Sequence, residues 1–364
     1  MPFIFEKKIK VSVILPSLNV KRYIEECIKS VMNQTLKEIE ILCVDAGSND
    51  GTLEVLREYA SIDNRIRIIG SDLKSYGHQV NLGINEALGE YIGIVETDDF
   101  IDETMYEELY NYAQEIDADV VKTPYIDYSD HKNNRECYFA DRLKEALPEG
   151  KCFSMKEYGH LLAYHASVWS GVYRREYLLK KKIFFVEAPG AGYVDVGFRL
   201  DSLISTDRVA WLNKSFYHYR RNNDDSSTNH FSLKTMCLRW KEVHEKLMNS
   251  QEDYDNYYGK FSVLDEYMNT IAYIGHMELG QEDLQSMINN FNHINKRVIE
   301  ESPVLSKAIK RRILKFKSDP LRYYLKKNRT MRLYRKAKKV GDRLLPHGSI
   351  VREIIKKKLL LQNG

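Results

Sequence analysis

Between Val11 and Thr123 the chain repeats one pattern: a short β-branched apolar run, a polar break, then apolar residues at helical spacing. The runs are residues 11–15, ended by Pro16, then 39–44, 65–69, 91–95 and 119–123. Between the first two, Ile24, Cys27, Ile28 and Val31 recur at the three- and four-residue spacing of a helix's buried face. Asn19 stands where the N-cap of that helix is expected. The second run opens into Asp45-Ala46-Gly47-Ser48-Asn49-Asp50-Gly51, a turn-forming stretch, and a second helix is expected from Thr52. Strands alternating with helices of this length predict an α/β fold, a Rossmann-like, mostly parallel sheet with helices on both faces. Ligands of such sheets bind outside the carboxyl ends of the strands. Pro16 to Asn19, Asp45 to Asp50 and Glu96 to Asp99 all fall at those ends.

The run Glu96-Thr97-Asp98-Asp99 places three carboxylates within four residues. They repel one another, and burying them together is costly without a cation. A divalent ion removes that cost and can bridge to phosphate oxygens, and an all-oxygen donor set favours Mg²⁺ or Mn²⁺ over zinc. The alternative is a helix cap, because carboxylates suit the N-terminus of the helix expected near Glu103. Residue type alone leaves both readings open.

A length of 364 residues gives room for two moderate cores. With 43% hydrophobic and 29% charged residues, the composition is that of a soluble globular protein. No apolar stretch reaches the roughly 18 residues of a spanning helix, and the N-terminus lacks the order of a signal peptide. The five cysteines are scattered without C-x-x-C spacing, which argues for reduced thiols in a reducing compartment and against a zinc site. Residues 126–230 are mixed, with loops expected near 130–135 and at 189–192, and beyond Phe231 the pattern is helical. Candidate helices there are 233–248, 254–277, 282–300 and a basic run from Ser306. The division expected is therefore 1–230 and 231–364.

Four segments, in order, resemble the inverting family 2 glycosyltransferases. They are Val11-Ser-Val-Ile-Leu-Pro-Ser-Leu-Asn19, Tyr23-Ile-Glu-Glu-Cys-Ile-Lys-Ser-Val-Met-Asn-Gln34, Ile41-Leu-Cys-Val-Asp-Ala-Gly-Ser-Asn-Asp-Gly-Thr52, and Asn81-Leu-Gly-Ile-Asn-Glu-Ala-Leu-Gly-Glu-Tyr-Ile-Gly-Ile-Val-Glu-Thr-Asp-Asp99. The match is dense over residues 10–125 and thinner over 165–228. The resemblance implies a GT-A nucleotide-sugar-binding fold in 1–230, followed by a helical C-terminal region. It also implies a metal-dependent enzyme of bacterial polysaccharide or lipid-linked glycan synthesis. One hexosyl or N-acetylhexosaminyl unit would pass from a nucleoside-diphosphate sugar, a UDP-sugar foremost, to a hydroxyl of a glycan or lipid-linked acceptor.

The resemblance also assigns roles. Pro16, Ser17 and Asn19 would line the nucleotide pocket, and Asp45 would hydrogen-bond the base or ribose. Asp50 is read as a turn residue. Asp98 and Asp99 match the metal-binding motif, with Asp98 also on the donor and Glu96 where the family usually has Asp. Asn81 would face the donor. Val80 replaces a common Arg, so Lys74 or His78 would supply the contact to diphosphate or sugar, unless His78 caps or packs at its helix start. In Gly190-Ala-Gly-Tyr-Val-Asp-Val-Gly-Phe198, Val194 replaces the family's Glu and leaves Asp195 as the acceptor's general base. Its glycines suit a loop that orders on substrate. Trp169 would stack on an acceptor sugar or sit in the core. In the segment from Tyr217 to Thr228, His218 would complete the metal shell or pack, and Arg220 and Arg221 would neutralise the leaving diphosphate.

Charge is unevenly distributed. From Lys307 to Gly364 there are twenty Lys or Arg against Asp319, Asp342 and Glu353, a net +17 that leaves the first 306 residues at −14 of the total +3. Basic residues interleaved with Ile309, Ile313, Leu314, Phe316 and later Leu and Ile suit helices lying on an anionic membrane surface. The localisation expected is cytoplasmic, peripheral on the inner face of the membrane. A solvated basic face on helices packed against the body is the alternative. Nucleic acid is not an expected partner, since charge alone supports it. A homo-oligomer is left open.

Two other classes compete. A non-catalytic sugar-nucleotide or glycan-binding module is motivated by the departures at Ala46, Val80 and Val194. A nucleotidyltransferase would need a glycine- and lysine-rich phosphate loop near its start, and residues 11–19 contain no glycine.

Overall fold

The computed structural model describes residues 8–129, 132–135, 146–221, 223, 233–276, 285, 288–289, 291, 294–320 and 322–326. Strands β1 (Val11–Ser17), β2 (Ile39–Asp45), β3 (Ile66–Gly70), β4 (Tyr91–Ile94) and β6 (Val120–Lys122) occupy the five apolar runs. With β9 (Gly171–Arg174) and β10 (Val209–Trp211) they form a seven-stranded sheet in the order β10-β6-β9-β4-β1-β2-β3. Its pairs are parallel except those of β9, which runs antiparallel to β4 and β6. Helices α1 (Lys21–Met32), α2 (Thr52–Ile62), α3 (Tyr76–Glu86) and α4 (Met105–Glu115) make the crossovers. Helices cover both faces of this mixed, mostly parallel sheet, the GT-A arrangement expected from the sequence.

The chain builds β1, β2 and β3 outward in one direction and then returns to lay β4 on the other side of β1. That reversal opens a crevice beyond the carboxyl ends of β1 and β4, where connections diverge. Pro16 and Glu96 stand at its two sides.

Every residue of β1 and β2 is buried, as parallel strands covered on both faces require. Two of the polar side chains this encloses satisfy each other: Ser12 Oγ donates to Glu40 Oε1 at 2.6 Å and accepts from Gly89 N, while Arg67 reaches Glu40 Oε2 at 3.1 Å. Helix α1 buries Tyr23, Ile24, Cys27, Ile28 and Val31, the face its spacing predicted.

Asn19 does not cap α1. Its backbone is left-handed (φ 55°), and the position before the helix belongs to Val20, whose side chain cannot cap. The loop after β2 does the work from outside: Asp50 Oδ2 accepts from Lys21 N, Thr52 Oγ1 from Val20 N and Ser48 Oγ from Asn19 N, each at 2.9 Å. Asp50 Oδ1 also accepts from Thr52 N and Oγ1, so this residue is a turn and capping group.

A second, four-stranded sheet takes up part of the stretch that is hard to parse from sequence. Its order is β5 (Phe100–Ile101), β11 (Tyr217–Arg220), β7 (Tyr125–Ser129) and β8 (Lys132–Arg135). Residues 132–135, expected as loop, are strand β8, paired antiparallel with β7. Lys-Asn-Asn-Arg has no apolar alternation, and the neighbouring strand supplies the order that propensity does not.

The chain divides into two compact units, Met1–Val263 and Leu264–Gly364. The first takes in the helix Leu233–Leu247 and the π-helical turn Tyr254–Ser262, so the compact division falls later than the change of pattern near 230. In the second, the helix Lys307–Ser318 is capped by Ser306 and buries Ile313 and Phe316, while Lys307, Arg311 and Lys315 are exposed. Lys317 turns inward to the carbonyls of Phe291 and Ile294. The rest of the basic tail, residues 327–364, lies outside the described residues. Among the described residues no helix is long and apolar enough to cross a membrane.

Candidate active site

The crevice at the β1/β4 carboxyl ends is a cleft of about 350 Å³, within the roughly 300–1,000 Å³ usual for small-molecule sites. It is lined by Pro16, Leu18 and Val20 after β1, by Glu96 and Asp98 after β4, by Val168 and Trp169 before β9, by Tyr219 of β11, and by Val194 and Asp195. Lys74 is exposed at its edge. Among the described lining residues Lys74 is the sole lysine or arginine, set against the carboxylates of Glu96, Asp98 and Asp195.

A β-turn sorts the acidic run. Asp99 N donates to Glu96 O at 3.0 Å, so the chain reverses over Thr97 and Asp98. Adjacent aspartates therefore point apart. Asp98 lines the cleft, where its Oδ2 accepts from Asn223 Nδ2 at 2.7 Å. Asp99 is only 1% exposed and turns into the protein, accepting from Tyr217 Oη at 2.8 Å and from Arg220 N at 2.7 Å. Burial and the neighbouring Asp98 push its carboxyl well up, opposed by those two donors. Asp99 is thus the staple between the acidic turn and β11. Glu96 replaces it at the cleft, where Tyr76 Oη donates to its Oε1 at 2.6 Å. Burial pushes the Glu96 carboxyl up to about 8, the Tyr76 hydrogen bond opposing and the charges of Asp98 and Asp195 adding to the rise.

Asp195 lies in the first turn of the helix Val194–Ile204 rather than in the glycine loop before it. Burial raises its carboxyl, while Arg199 one turn on and the N–H groups of Asp195 and Val196 work the other way. A raised carboxylate facing the cleft is chemically suited to take a proton. The preceding loop is tied down: Tyr76 N donates to Gly190 O and Gly190 N to Lys74 O, both at 3.0 Å.

The structure brings Pro16, Lys74, Glu96, Asp98, Trp169 and Asp195 to one cleft, and the other sequence-derived candidates are not among its lining residues. Asp45 is enclosed by its own loop, its oxygens accepting from Gly47 N, Ser48 N and Ser48 Oγ. Ser17 is buried beside it in register, and Asn19 Oδ1 accepts from Asn49 N. Asn81 clamps a passing segment, bonding Phe185 O, Phe185 N and Glu187 Oε1 at 2.9–3.0 Å. His78 sits between Glu187 and Asp72, at 2.9 and 3.1 Å, and the Glu187 hydrogen bond chiefly raises its pKa. Gly77 permits the close approach behind this clamp, since a Cβ there would stand 2.1 Å from Val186 O.

His218 is stacked on Phe100 with ring centroids 4.4 Å apart, and its Nε2 meets Asp102 Oδ1 at 2.8 Å. It packs in the second sheet rather than facing Asp98. Arg220 is also turned away from the cleft: its Nε donates to Asp98 O at 2.8 Å, its guanidinium reaches Glu26, and Tyr23 and Tyr128 lie 5.0 Å from it. Arg221 pairs with Asp127. Trp169 is 4% exposed and stacks on Tyr217 and Tyr219, so it belongs both to the core and to the cleft wall. Within the closing segment, residues 222 and 224–228 lie outside the described residues.

Tyr76, Gln79, His165, Tyr219 and Asn223 are cleft residues that sequence reasoning did not single out. Gln79 is the hinge pin of the crevice, its Nε2 donating to Ser17 O and Val44 O at the ends of β1 and β2. Tyr76, Gln79, Tyr219 and Asn223 fall inside segments that carry the family resemblance, which was the available signal.

Comparison with known proteins agrees with this geometry. The family model "Glycosyl transferase family 2" matches residues 12–180. The chain is 31% identical over 233 residues to the glycosyltransferase GlyG of Streptococcus pneumoniae, covering 61% of this chain and 74% of GlyG. It is 32% identical over 214 residues to EpsJ, an uncharacterised glycosyltransferase of Bacillus subtilis, covering 58% of this chain and 61% of EpsJ, less than two thirds of that protein's length. In three dimensions it is similar to S. aureus TarS 1–349 in complex with UDP-GlcNAc, with a TM-score of 0.67 and 19% identity over 90% of this chain and 92% of that one. The chain belongs to the family 2 glycosyltransferases.

The split of the acidic run has a measurable consequence. Asp99→Ala removes the acceptor of the Tyr217 O–H and of the Arg220 N–H and is expected to destabilise the fold by about 2–4 kcal/mol. Asp98→Ala should cost less than about 1 kcal/mol. Chemical unfolding of the two variants measures this, and equal costs would contradict the staple.

Proposed function

We propose that this chain is a metal-dependent inverting glycosyltransferase. It moves one sugar from a nucleoside-diphosphate sugar, a UDP-sugar foremost, to a hydroxyl of a glycan or lipid-linked acceptor. The observation that carries the reading is the cleft's acidity: among the described lining residues three carboxyl groups and one lysine converge where a dianionic diphosphate would lie, and burial holds Glu96 back from ionising until a cation is near. Such a cleft repels the donor unless a divalent cation enters with it.

Asp98, with Glu96 beside it, would hold Mn²⁺ or Mg²⁺ through oxygen. Among the described residues no cluster of three His, Cys, Asp or Glu is arranged to hold a metal by itself. That suits an ion bound by one or two carboxylates plus substrate phosphates. Bound there, the ion would supply positive charge to the diphosphate as it leaves. Lys74, on its flexible stem at the cleft edge, adds a second positive group. Tyr76 and Asn223 hold Glu96 and Asp98 in place through their hydrogen bonds. Pro16, Leu18 and Val20 line the side on which the nucleotide would rest.

Asp195 then faces the sugar from across the cleft. Its carboxylate accepts the acceptor hydroxyl's proton as the hydroxyl oxygen attacks the anomeric carbon and the bond to the diphosphate breaks. A single displacement of this kind inverts the anomeric centre. The exposed basic residues of the helix Lys307–Ser318 suit an anionic membrane surface and a lipid-linked acceptor on its cytoplasmic face.

Two experiments test the reading. In a screen of UDP-, GDP- and dTDP-sugars with Mn²⁺, Asp195→Asn should reduce transfer or donor hydrolysis by about 10²–10⁴-fold with nucleotide binding kept, and Asp98→Ala should lose metal-dependent turnover. Full activity in both variants would sink the chemistry, and no turnover with any donor would favour a binding module. For the tail, co-sedimentation with anionic liposomes should fall sharply when residues 307–364 are removed, and unchanged binding would refute the membrane role.

A further inference from the structure

The turn before β9 is built around one strained residue. Ser167 is not glycine, yet its φ is 35°, in a region that costs an ordinary side chain energy and persists only where neighbours enforce it. Three donors converge on its carbonyl: Lys122 Nζ at 2.5 Å, and Ser170 N and Oγ each at 2.9 Å. Ser167 N, in turn, donates to Nδ1 of His165 at 3.0 Å.

This last bond fixes the tautomer of His165. A ring nitrogen that accepts from a backbone N–H carries no proton, so the proton of the neutral imidazole is on Nε2. Nε2 makes no hydrogen bond among the described residues and is not a sealed-off buried atom, and the ring lines the cleft. Burial and the charges of Arg221, Arg199 and Lys122 hold the imidazole down to about 3, so it remains a neutral donor.

Its place in the sheet says what it meets. β9 begins at Gly171, at the carboxyl ends of its neighbours β4 and β6, so His165 stands across the acidic turn from Pro16 and β1. A nucleotide on the β1 side and a diphosphate at Asp98 leave the sugar on the side of His165, Trp169 and Asp195. On the donor reading above, on which this inference rests, we propose that His165 is a sugar-binding residue. Its Nε2–H, oriented by the Ser167 turn, donates to a hydroxyl or carbonyl oxygen of the transferred sugar. An uncharged pyranose substituent is the group it takes.

Two side-chain replacements separate this role from a structural one. Asparagine can place its Oδ1 where Nδ1 accepts from Ser167 N but has no donor reaching as far as Nε2. Glutamine can place an N–H near the Nε2 position. The measurement is affinity, with Mn²⁺ present, for UDP, GDP and dTDP and for their glucose, galactose and N-acetylglucosamine derivatives. It yields the gain in affinity that a sugar adds over its bare nucleotide. His165→Asn is expected to lose about 2- to 10-fold of that gain while binding the bare nucleotide as the wild type does, and His165→Gln to recover part of it. A gain unchanged in His165→Asn overturns the proposal while leaving the donor reading intact. A wild-type chain that binds none of the nucleotides overturns the donor reading, and the proposal falls with it.

Discussion

The hydrogen bond from Asp99 N to Glu96 O is small, but the organisation of the cleft depends on it. It reverses the chain immediately after β4 and sends neighbouring carboxylates to opposite sides. Asp99 goes inward and fixes β11 through Tyr217 and Arg220. Glu96 and Asp98 stay at the crevice. Without that turn, three carboxyl groups would crowd one site and β11 would lose its anchor at the end of β4.

The second sheet exists, in these terms, to wall the crevice. Tyr217 and Tyr219 of β11 stack on Trp169, and Arg220 braces the acidic turn from behind while reaching Glu26 on α1. Behind the cleft's Lys74, Tyr76 and Gln79, α3 and the segment 185–190 are stitched together by Asn81, His78 and the paired backbone bonds of Gly190. Those contacts carry the chain to Tyr193, whose left-handed backbone starts the helix that bears Asp195. The cleft is therefore framed by elements far apart in sequence, each held by buried polar contacts rather than by apolar packing alone.

Periodicity made the main sheet legible. All five apolar runs became strands, and the buried face of α1 followed from spacing. What it could not give was direction at the strand ends. Asp98 and Asp99 are equivalent in sequence and opposite in space, because a turn's hydrogen bond, invisible in composition, divides them. Asn19, Asp45 and Asn81 are polar residues in motif positions, and their side chains serve neighbouring backbone. His165 carries no motif, and only the pairing of β9 reveals it as a cleft residue. β8 was unreadable for a related reason, since its order comes from β7 and not from Lys-Asn-Asn-Arg itself.

On the proposed function, Glu96 and Asp98 on one side of a turn would make half a metal site that the donor's diphosphate completes. Counting bound Mn²⁺ by electron paramagnetic resonance, with and without UDP, tests it directly. The account predicts weak binding to the free protein, one tightly bound ion when UDP is added, and loss of that ion in Asp98→Ala. Tight binding without nucleotide, or an unchanged ion count in Asp98→Ala with UDP, would contradict it.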